Sequence, residues 1–295
     1  MRCLPYRASM VQASALALGL SALGLSATAA RAQSNFEIQV YGSDLVPIGA
    51  TMYELHLNYT AQGSKIASGG VLATNRALHQ TIEITHGFSE WFELGTYLFL
   101  SERNGDGMRY VGNHIRPRFS IPARYKLPVG LSLSQEIGYN TVEFGPDTWT
   151  WEIRPIIDQQ VGRFYWSINP VLGKSLRGPS SANGFDFAPN VQVNLDVAKR
   201  VNIGLEYYGA YGQVGKFATL RSTEQQIFPA VNLDFGDEWE FNAGVGIGLT
   251  NPTDHLIAKL IVGRRIGGKR KSRIGPLGIE PRSPASKAGV IAVIR

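Results

Sequence analysis

Side chains alternate with a period of two from residue 51 to residue 266, and this pattern constrains the fold more than any other feature of the chain. Apolar or aromatic residues occupy one parity, while polar, acidic or glycine residues occupy the other. In residues 51–60, for example, Tyr53, Leu55, Leu57 and Tyr59 alternate with Glu54, His56, Asn58 and Thr60. Because successive side chains of a β-strand point to opposite faces, the pattern predicts strands with one apolar and one polar face.

Twelve such segments follow one another, each about 10 residues long, which is the length of a tilted strand that crosses a hydrocarbon layer. They span 51–60, 76–86, 91–100, 110–121, 129–140, 148–158, 163–173, 185–196, 201–211, 225–235, 239–249 and 255–266. Longer polar links, such as 61–75, 101–109 and 212–224, alternate with tighter ones. The pattern predicts an all-β fold, a single antiparallel transmembrane β-barrel of about 12 strands with short periplasmic turns and longer extracellular loops.

A soluble β domain would alternate as well, and the character of the two faces separates the two folds. The polar parity here is rich in glycine, asparagine, serine and single carboxylates, and it has few lysines. All five tryptophans lie close to strand ends, as an aromatic girdle at two membrane interfaces requires: Trp91, Trp149, Trp151, Trp166 and Trp239. These features favour the membrane barrel. Five prolines fall within the strands, where we expect bulges or strand ends: Pro117, Pro155, Pro170, Pro189 and Pro229.

The two ends of the chain differ from the body in charge. Residues 1–32 have a basic start, an apolar run and an Ala-Arg-Ala site, which predicts a cleaved signal peptide, export and a bacterial outer-membrane location. Residues 33–266 carry 19 basic and 22 acidic groups, so no basic surface for nucleic acid is expected. Residues 267–295 are predicted to form a basic disordered tail. Residues 33–50 are predicted as a periplasmic N-terminal segment, which either enters the pore or pairs as an extra strand.

Three stretches of the sequence resemble a known family. They are Phe36-Glu37-Ile38-Gln39-Val40-Tyr41-Gly42-Ser43-Asp44, residues 87–95 (GFSEWFELG) and residues 112–118 (GNHIRPR). Over residues 36–266 the chain is similar to uncharacterised outer-membrane barrels that are grouped with transporters of phenol-degradation (MetA-pathway) operons. The resemblance implies an outer-membrane location in a Gram-negative bacterium and uptake of small molecules. It carries no catalytic residue to this chain.

If the apolar parity meets lipid, the polar parity lines the lumen. The candidate lumen and selectivity residues are Glu54, Glu83, Glu93, Glu136, Glu152, Glu206, Glu240, Arg116, Arg118, Arg154 and Lys259, with Asp234 on the same parity. Facing acids and bases would create the transverse field of a narrow, mildly cation-selective or dipolar pore. Alternatively, these charges pair across adjacent strands and fill the interior.

Arg116 and Arg118 form the sharpest local cluster, because residues i and i+2 of a strand project from the same face about 7 Å apart. Two guanidinium groups at this spacing would clamp a carboxylate or phosphate. The alternative is pairing with Glu93 or Glu136 on the flanking strands. His56 and His79 could also face each other near Glu54 or Glu83, but their register is undetermined and we expect no metal site.

The sequence thus favours a porin-like channel or transporter for small solutes, aromatic or anionic ones among them. A non-conducting structural or surface-interaction barrel, with loops 61–75 and 212–224 meeting partners, is the main alternative. A membrane-embedded lipid hydrolase is a weaker one, because no G-x-S-x-G motif occurs and no parity pattern singles out a catalytic set of serine, histidine and acid. We therefore expect no enzyme and no cofactor. Outer-membrane lipids and the barrel-assembly machinery are the expected macromolecular partners.

Overall fold

A computed structural model describes residues 35–103, 105–235 and 238–268, so the predicted signal peptide and nearly all of the predicted tail lie outside the described residues. Twelve long strands make up the barrel. They are β1 (Ala50–Gln62), β2 (Ala77–Ser89), β3 (Phe92–Arg103), β4 (Gly107–Ser120), β5 (Gly130–Asn140), β6 (Trp149–Val161), β7 (Phe164–Arg177), β8 (Asp186–Ala198), β9 (Val201–Gly209), β10 (Gln225–Asp234), β11 (Trp239–Gly248) and β12 (Leu256–Gly267).

The strands form one closed antiparallel sheet. Each strand pairs with its neighbours in sequence, and β12 returns to pair with β1 from Ala50 opposite Gly267 to Gln62 opposite Leu256. A short strand, Gly212–Gln213, pairs with the start of β8 outside this ring. Closure removes the two sheet edges that a strand array would otherwise leave unpaired. The predicted twelve-stranded antiparallel barrel is confirmed.

The barrel has an apolar exterior and a polar interior. Leucine, isoleucine, valine and aromatic side chains of the outward parity are exposed on eleven of the twelve strands and half-buried on β10, whereas the inward parity is mostly buried. Trp91 and Trp239 lie near one end of the barrel and Trp149 near the other, and all three are exposed. Such a continuous apolar band is the surface of a transmembrane barrel. Among the described residues, no helix is long and apolar enough to span a membrane.

The two ends of the barrel differ in the length of their connections. The end that carries residues 90–91, 162–163 and 199–200 is called the turn rim here, and the opposite end, with 63–76 and 210–224, the loop rim. One predicted loop is wrong: 101–109 is mostly strand, because β3 and β4 run on to pair Arg103 with Gly107. The turn rim also has a nine-residue connection, 121–129, which contains a short 3-10 helix.

The five strand prolines lie at interruptions of the hydrogen-bond ladders. Pairing between β4 and β5 stops beside Pro117, and pairing between β6 and β7 stops between Pro155 and Pro170. Pro229 lies at a similar gap between β10 and β11, and the β8–β9 ladder starts just after Pro189. A proline has no N–H to donate to a ladder hydrogen bond. Each of the five therefore lies where the adjacent strand makes no such bond to it.

Residues 35–49 precede β1 and run through the barrel; they are called the lumen segment here. Asn35 contacts Asp254 at the loop rim, and the chain then descends until Gly49 donates to the carbonyl of Gly87 at the turn rim. Of the two placements that the sequence left open, residues 35–46 adopt the one inside the barrel, and they do not pair as a periplasmic strand.

Candidate functional site

Wall side chains hold the backbone of the lumen segment. Nine of the ten carbonyl oxygens from Asn35 to Asp44 accept a hydrogen bond from the barrel wall. The donors are Asn58, Thr81, Lys259, Arg154, Gln192, Ser167 with Asn169, Arg118 and Ser120, on seven different strands. These contacts replace a strand ladder, since residues 35–46 make no backbone pairing with the sheet in the described structure. Each such hydrogen bond contributes about 1 kcal/mol net to stability, so many weak contacts together hold the segment.

Alternate side chains of the lumen segment pack into two apolar clusters inside the barrel. Phe36 lies with Tyr97, Phe99, Val111 and Phe144. Ile38 and Val40 lie on another side, with Tyr208, Ala210, Phe228 and Ile257. Apolar groups therefore occupy a lumen whose wall is otherwise polar, and they bury each other only while the segment is in place. Its removal would expose apolar surface on both partners.

The ring of Tyr41 lies inside the barrel among three guanidinium groups. The carbon atoms of the Arg116 and Arg154 guanidinium groups each lie 4.7 Å from the centroid of its ring, and that of Arg118 lies 5.5 Å away. The Tyr41 hydroxyl contacts the Tyr97 hydroxyl at 3.0 Å. Three cations around one aromatic ring each contribute a cation–π attraction. The wall thus forms a cationic pocket for an aromatic ring, and the segment's own phenol fills it.

The predicted lumen residues point inward and most are paired. Nine of the eleven are buried, whereas Glu152 and Glu240 are half-buried. The ion pairs join Arg116 to Glu83 at 2.5 Å, Arg118 to Glu93 at 2.7 Å, Arg154 to Glu152 at 2.7 Å and Lys259 to Glu206 at 2.5 Å. Glu93 and Glu136 were the two carboxylates predicted to pair with Arg116 and Arg118, and only Glu93 does so. Glu136 binds His114, whose ring lies over Gly138.

A cavity of about 340 Å³ remains between the lumen segment and the wall at the loop rim. Phe36 and Phe144 form part of its floor. Its lining includes five carboxylates and one lysine: Glu37, Glu136, Asp147, Glu152, Asp186 and Lys174. Because Glu152 is paired with Arg154 and Glu136 with His114, three carboxylates remain against one lysine, and this excess favours cations in the vestibule.

The lumen segment is the functional feature that sequence reasoning left open. Phe36, Ile38 and Val40 alternate with Glu37 and Gln39, so the stretch reads like one more strand. Alternation alone does not separate it from a wall strand, because wall strands also bury polar residues such as Glu83 on their inward parity. The difference is that both parities of the segment are buried, which requires the wall to surround it.

The geometry defines a class of protein, a twelve-stranded transmembrane β-barrel whose lumen is occupied by its own N-terminal segment. Among solved structures, the chain is similar to the COG4313 outer membrane channel from Pseudomonas putida F1, with a TM-score of 0.55 and 10% identity over 78% of this chain and all of that one. A KdgM porin aligns with a TM-score of 0.46 and 9% identity over 75% of this chain and 99% of the porin.

Outer membrane phospholipase A from Escherichia coli aligns with a TM-score of 0.41 and 9% identity over 76% of this chain and 94% of the enzyme. No family model matches the sequence, and no curated protein matches it either. At 10% identity the similarity to the COG4313 channel shows the fold alone, which is that of an outer-membrane barrel.

Proposed function

We propose that this protein is a porin-like channel of the bacterial outer membrane for small solutes, closed in the conformation described here by its lumen segment. The turn rim then faces the periplasm and the loop rim the exterior. The observation that carries the proposal is the way the segment is held. Side chains bind it in place of a strand ladder, so it can leave the lumen without any barrel strand losing its pairing.

The charge of the vestibule indicates which solutes would enter. The excess of unpaired carboxylates over lysine in the vestibule favours cations and uncharged molecules over anions. Deeper in the lumen, the pocket around Tyr41 offers three guanidinium groups to an aromatic ring. Of the aromatic and anionic solutes that the sequence suggested, these two features support a neutral aromatic one. Transport of the MetA-pathway type is the finer form of the same proposal.

A non-conducting barrel is the second candidate, and the packed interior favours it. The charged side chains that would line an open pore are buried instead. Among them, Arg116, Glu83 and Glu93 are all nearly inaccessible to water. In that case the barrel would act through its loops, through its contacts with lipids or through binding to the barrel-assembly machinery. The two candidates differ in one respect, which is whether the lumen segment can move.

A reversible cross-link tests that difference. Ser43 donates to Asp158 through both its backbone N–H, at 2.9 Å, and its hydroxyl, at 2.6 Å, so the two side chains touch. The only native cysteine is Cys3, in the predicted signal peptide. Ser43→Cys with Asp158→Cys, oxidised to a disulfide and checked by mass spectrometry, would fix the segment to β6. We expect no current from the oxidised protein in planar bilayers and current after reduction.

Ser43→Cys alone is the matched control, and its current should not respond to oxidant. Silence of every form would support the non-conducting barrel. Equal currents from the oxidised and reduced double variant would show that ions bypass the lumen segment, and the closed-channel proposal would then be wrong. For the lipid hydrolase alternative, ester hydrolysis by the refolded protein in detergent is the direct assay.

A further inference from the structure

Three buried groups on β1 and β2 form a cluster that the proposed channel function does not use. Glu54 pairs directly opposite Glu83 in the sheet, and His56 lies two residues further along β1 on the same inward face. Glu54 is 9% exposed, and His56 and Glu83 are inaccessible to water. One ligand atom from each lies within 4.8 Å of the others. Two carboxylates directly opposite each other repel.

The two oxygens of Glu83 have different surroundings. Oε1 accepts hydrogen bonds from Arg116 at 2.5 Å and from the Thr85 hydroxyl at 2.8 Å, which fixes the orientation of the carboxylate. Oε2 is buried and accepts no hydrogen bond from the described residues. A carboxylate held by outer partners through one oxygen, with the other oxygen left free, is the arrangement usual for a metal ligand.

The unbonded oxygen faces an imidazole that also lacks hydrogen bonds. Both ring nitrogens of His56 are buried without a hydrogen-bond partner among the described residues, and Nε2 lies 3.4 Å from Oε2 of Glu83. That separation is long for a hydrogen bond. It matches the spacing of about 3.4 Å between two ligand atoms that each bond a tetrahedral ion at about 2.0–2.1 Å.

The local charge also calls for a cation. Glu240 lies over Gly263, the residue that separates it from Glu54 in the sheet, so β11 brings a further carboxylate to the cluster. The groups that interact there are Glu54, Glu83, Glu93, Glu240 and Asp234 against Arg116, Arg118 and Arg265. Acids outnumber bases in this group, so a bound cation would reduce the repulsion among its carboxylates.

We propose that Glu54, His56 and Glu83 bind a divalent first-row metal ion inside the barrel, with Zn²⁺ as the ion that fits best. One imidazole nitrogen and two carboxylate oxygens form a donor set that suits Zn²⁺ better than Mg²⁺ or Ca²⁺, which prefer oxygen alone. Glu54, the least buried of the three, lies four residues from the turn-rim end of β1. The site would tie β1 to β2 independently of conduction.

Calorimetric titration with ZnCl₂ of the refolded, chelator-treated protein in detergent tests the site. We expect one Zn²⁺ per chain and a rise in Tm on addition, because an ion that binds only the folded state stabilises it. His56→Ala and Glu54→Gln should each weaken binding at least about 10-fold. His79→Ala is the matched control: this buried lumen histidine lies on β2, where its ring packs against Phe36, and its loss should leave Zn²⁺ affinity unchanged.

Co²⁺ supplies a second readout, because four-coordinate Co²⁺ with nitrogen and oxygen ligands absorbs visible light strongly. The wild type and His79→Ala should develop this band, and His56→Ala should not. If His56→Ala fails to fold, His56→Asn keeps a polar group there while removing the imidazole, and the same loss is expected. Absence of Zn²⁺ binding to the wild type, or equal binding by the wild type and both ligand variants, would overturn the assignment.

Discussion

Gly87→Ala should loosen the lumen segment without altering the barrel. Gly87 faces inward at the turn rim, where the chain of the segment crosses it before entering β1. A Cβ atom on Gly87 would lie 2.1 Å from the carbonyl oxygen of Val46 and 2.5 Å from that of Pro47. Both are backbone atoms, so no side-chain rotation can relieve the overlap.

The size of the effect follows from the overlap. Ordinary contact begins at 3.4 Å, so the backbone at Val46 must retreat by 3.4 − 2.1 = 1.3 Å. Forcing one extra carbon into a packed site costs roughly 1–3 kcal/mol. Because the barrel ladder is paired on both sides of Gly87, most of this cost falls on docking of the segment. An equilibrium between docked and displaced segment should then shift by roughly 5- to 150-fold.

Thiol labelling measures this shift without assuming conduction. Ser43→Cys places a thiol on the buried part of the segment, 5% exposed in the native chain, and a charged maleimide should react with it only after displacement. We expect faster labelling in the Gly87→Ala background by that same factor. Gly173→Ala is the matched control, because Gly173 also lies on a barrel strand and a Cβ atom there meets nothing within 4 Å.

Unchanged labelling in Gly87→Ala would refute the inference that the segment and the wall are in such close contact. Equal acceleration in Gly87→Ala and Gly173→Ala would show a general loosening of the barrel instead. If the channel proposal holds, bilayer recordings of Gly87→Ala should also show a higher open probability, and labelling without current would separate displacement of the segment from conduction.

Three further predictions concern the lumen. Tyr41→Ala should lower the free energy of unfolding by roughly 3 kcal/mol, measured by urea titration of tryptophan fluorescence, because it empties the site between three guanidinium groups. Asp147→Asn with Asp186→Asn should reduce the preference for cations, seen as a reversal potential closer to zero in a salt gradient. Arg118→Ala should destabilise the fold by roughly 1.5–3 kcal/mol because buried Glu93 loses its nearer guanidinium partner and keeps only Arg116 at 3.7 Å and the Val46 N–H, and adding Glu93→Gln should recover part of that loss.

The barrel wall could be predicted almost entirely from the sequence. Each predicted strand lies within a few residues of an observed one, and the candidate lumen residues lie on the parity that is mostly buried. The exception, loop 101–109, lacks an apolar alternation although β3 and β4 continue through it. There the tight turn around Gly105, with φ of +86°, is what allows Arg103 and Gly107 to pair.

The pairing of interior charges was only partly accessible from the sequence. Glu93 was a predicted partner of the arginine cluster, because the spacing of β3 and β4 along the chain limits the choice. That Arg116 reaches past β3 to Glu83, two strands away, depends on the length of its side chain and on the small Gly95 that lies beneath it. The opposition of Glu54 to Glu83 depends on register across a long loop, which no local pattern specifies.

The sequence by itself determined that the chain forms a closed wall with an apolar outside and a polar inside, because a period of two assigns every side chain to one of two faces. Only the tertiary structure decided what fills that wall. Residues 35–46 alternate much as a barrel strand does, and their partners are side chains from seven strands that come together only when β12 meets β1. A local pattern specifies the direction of a side chain, whereas the identity of its neighbours across a lumen depends on closure of the whole ring.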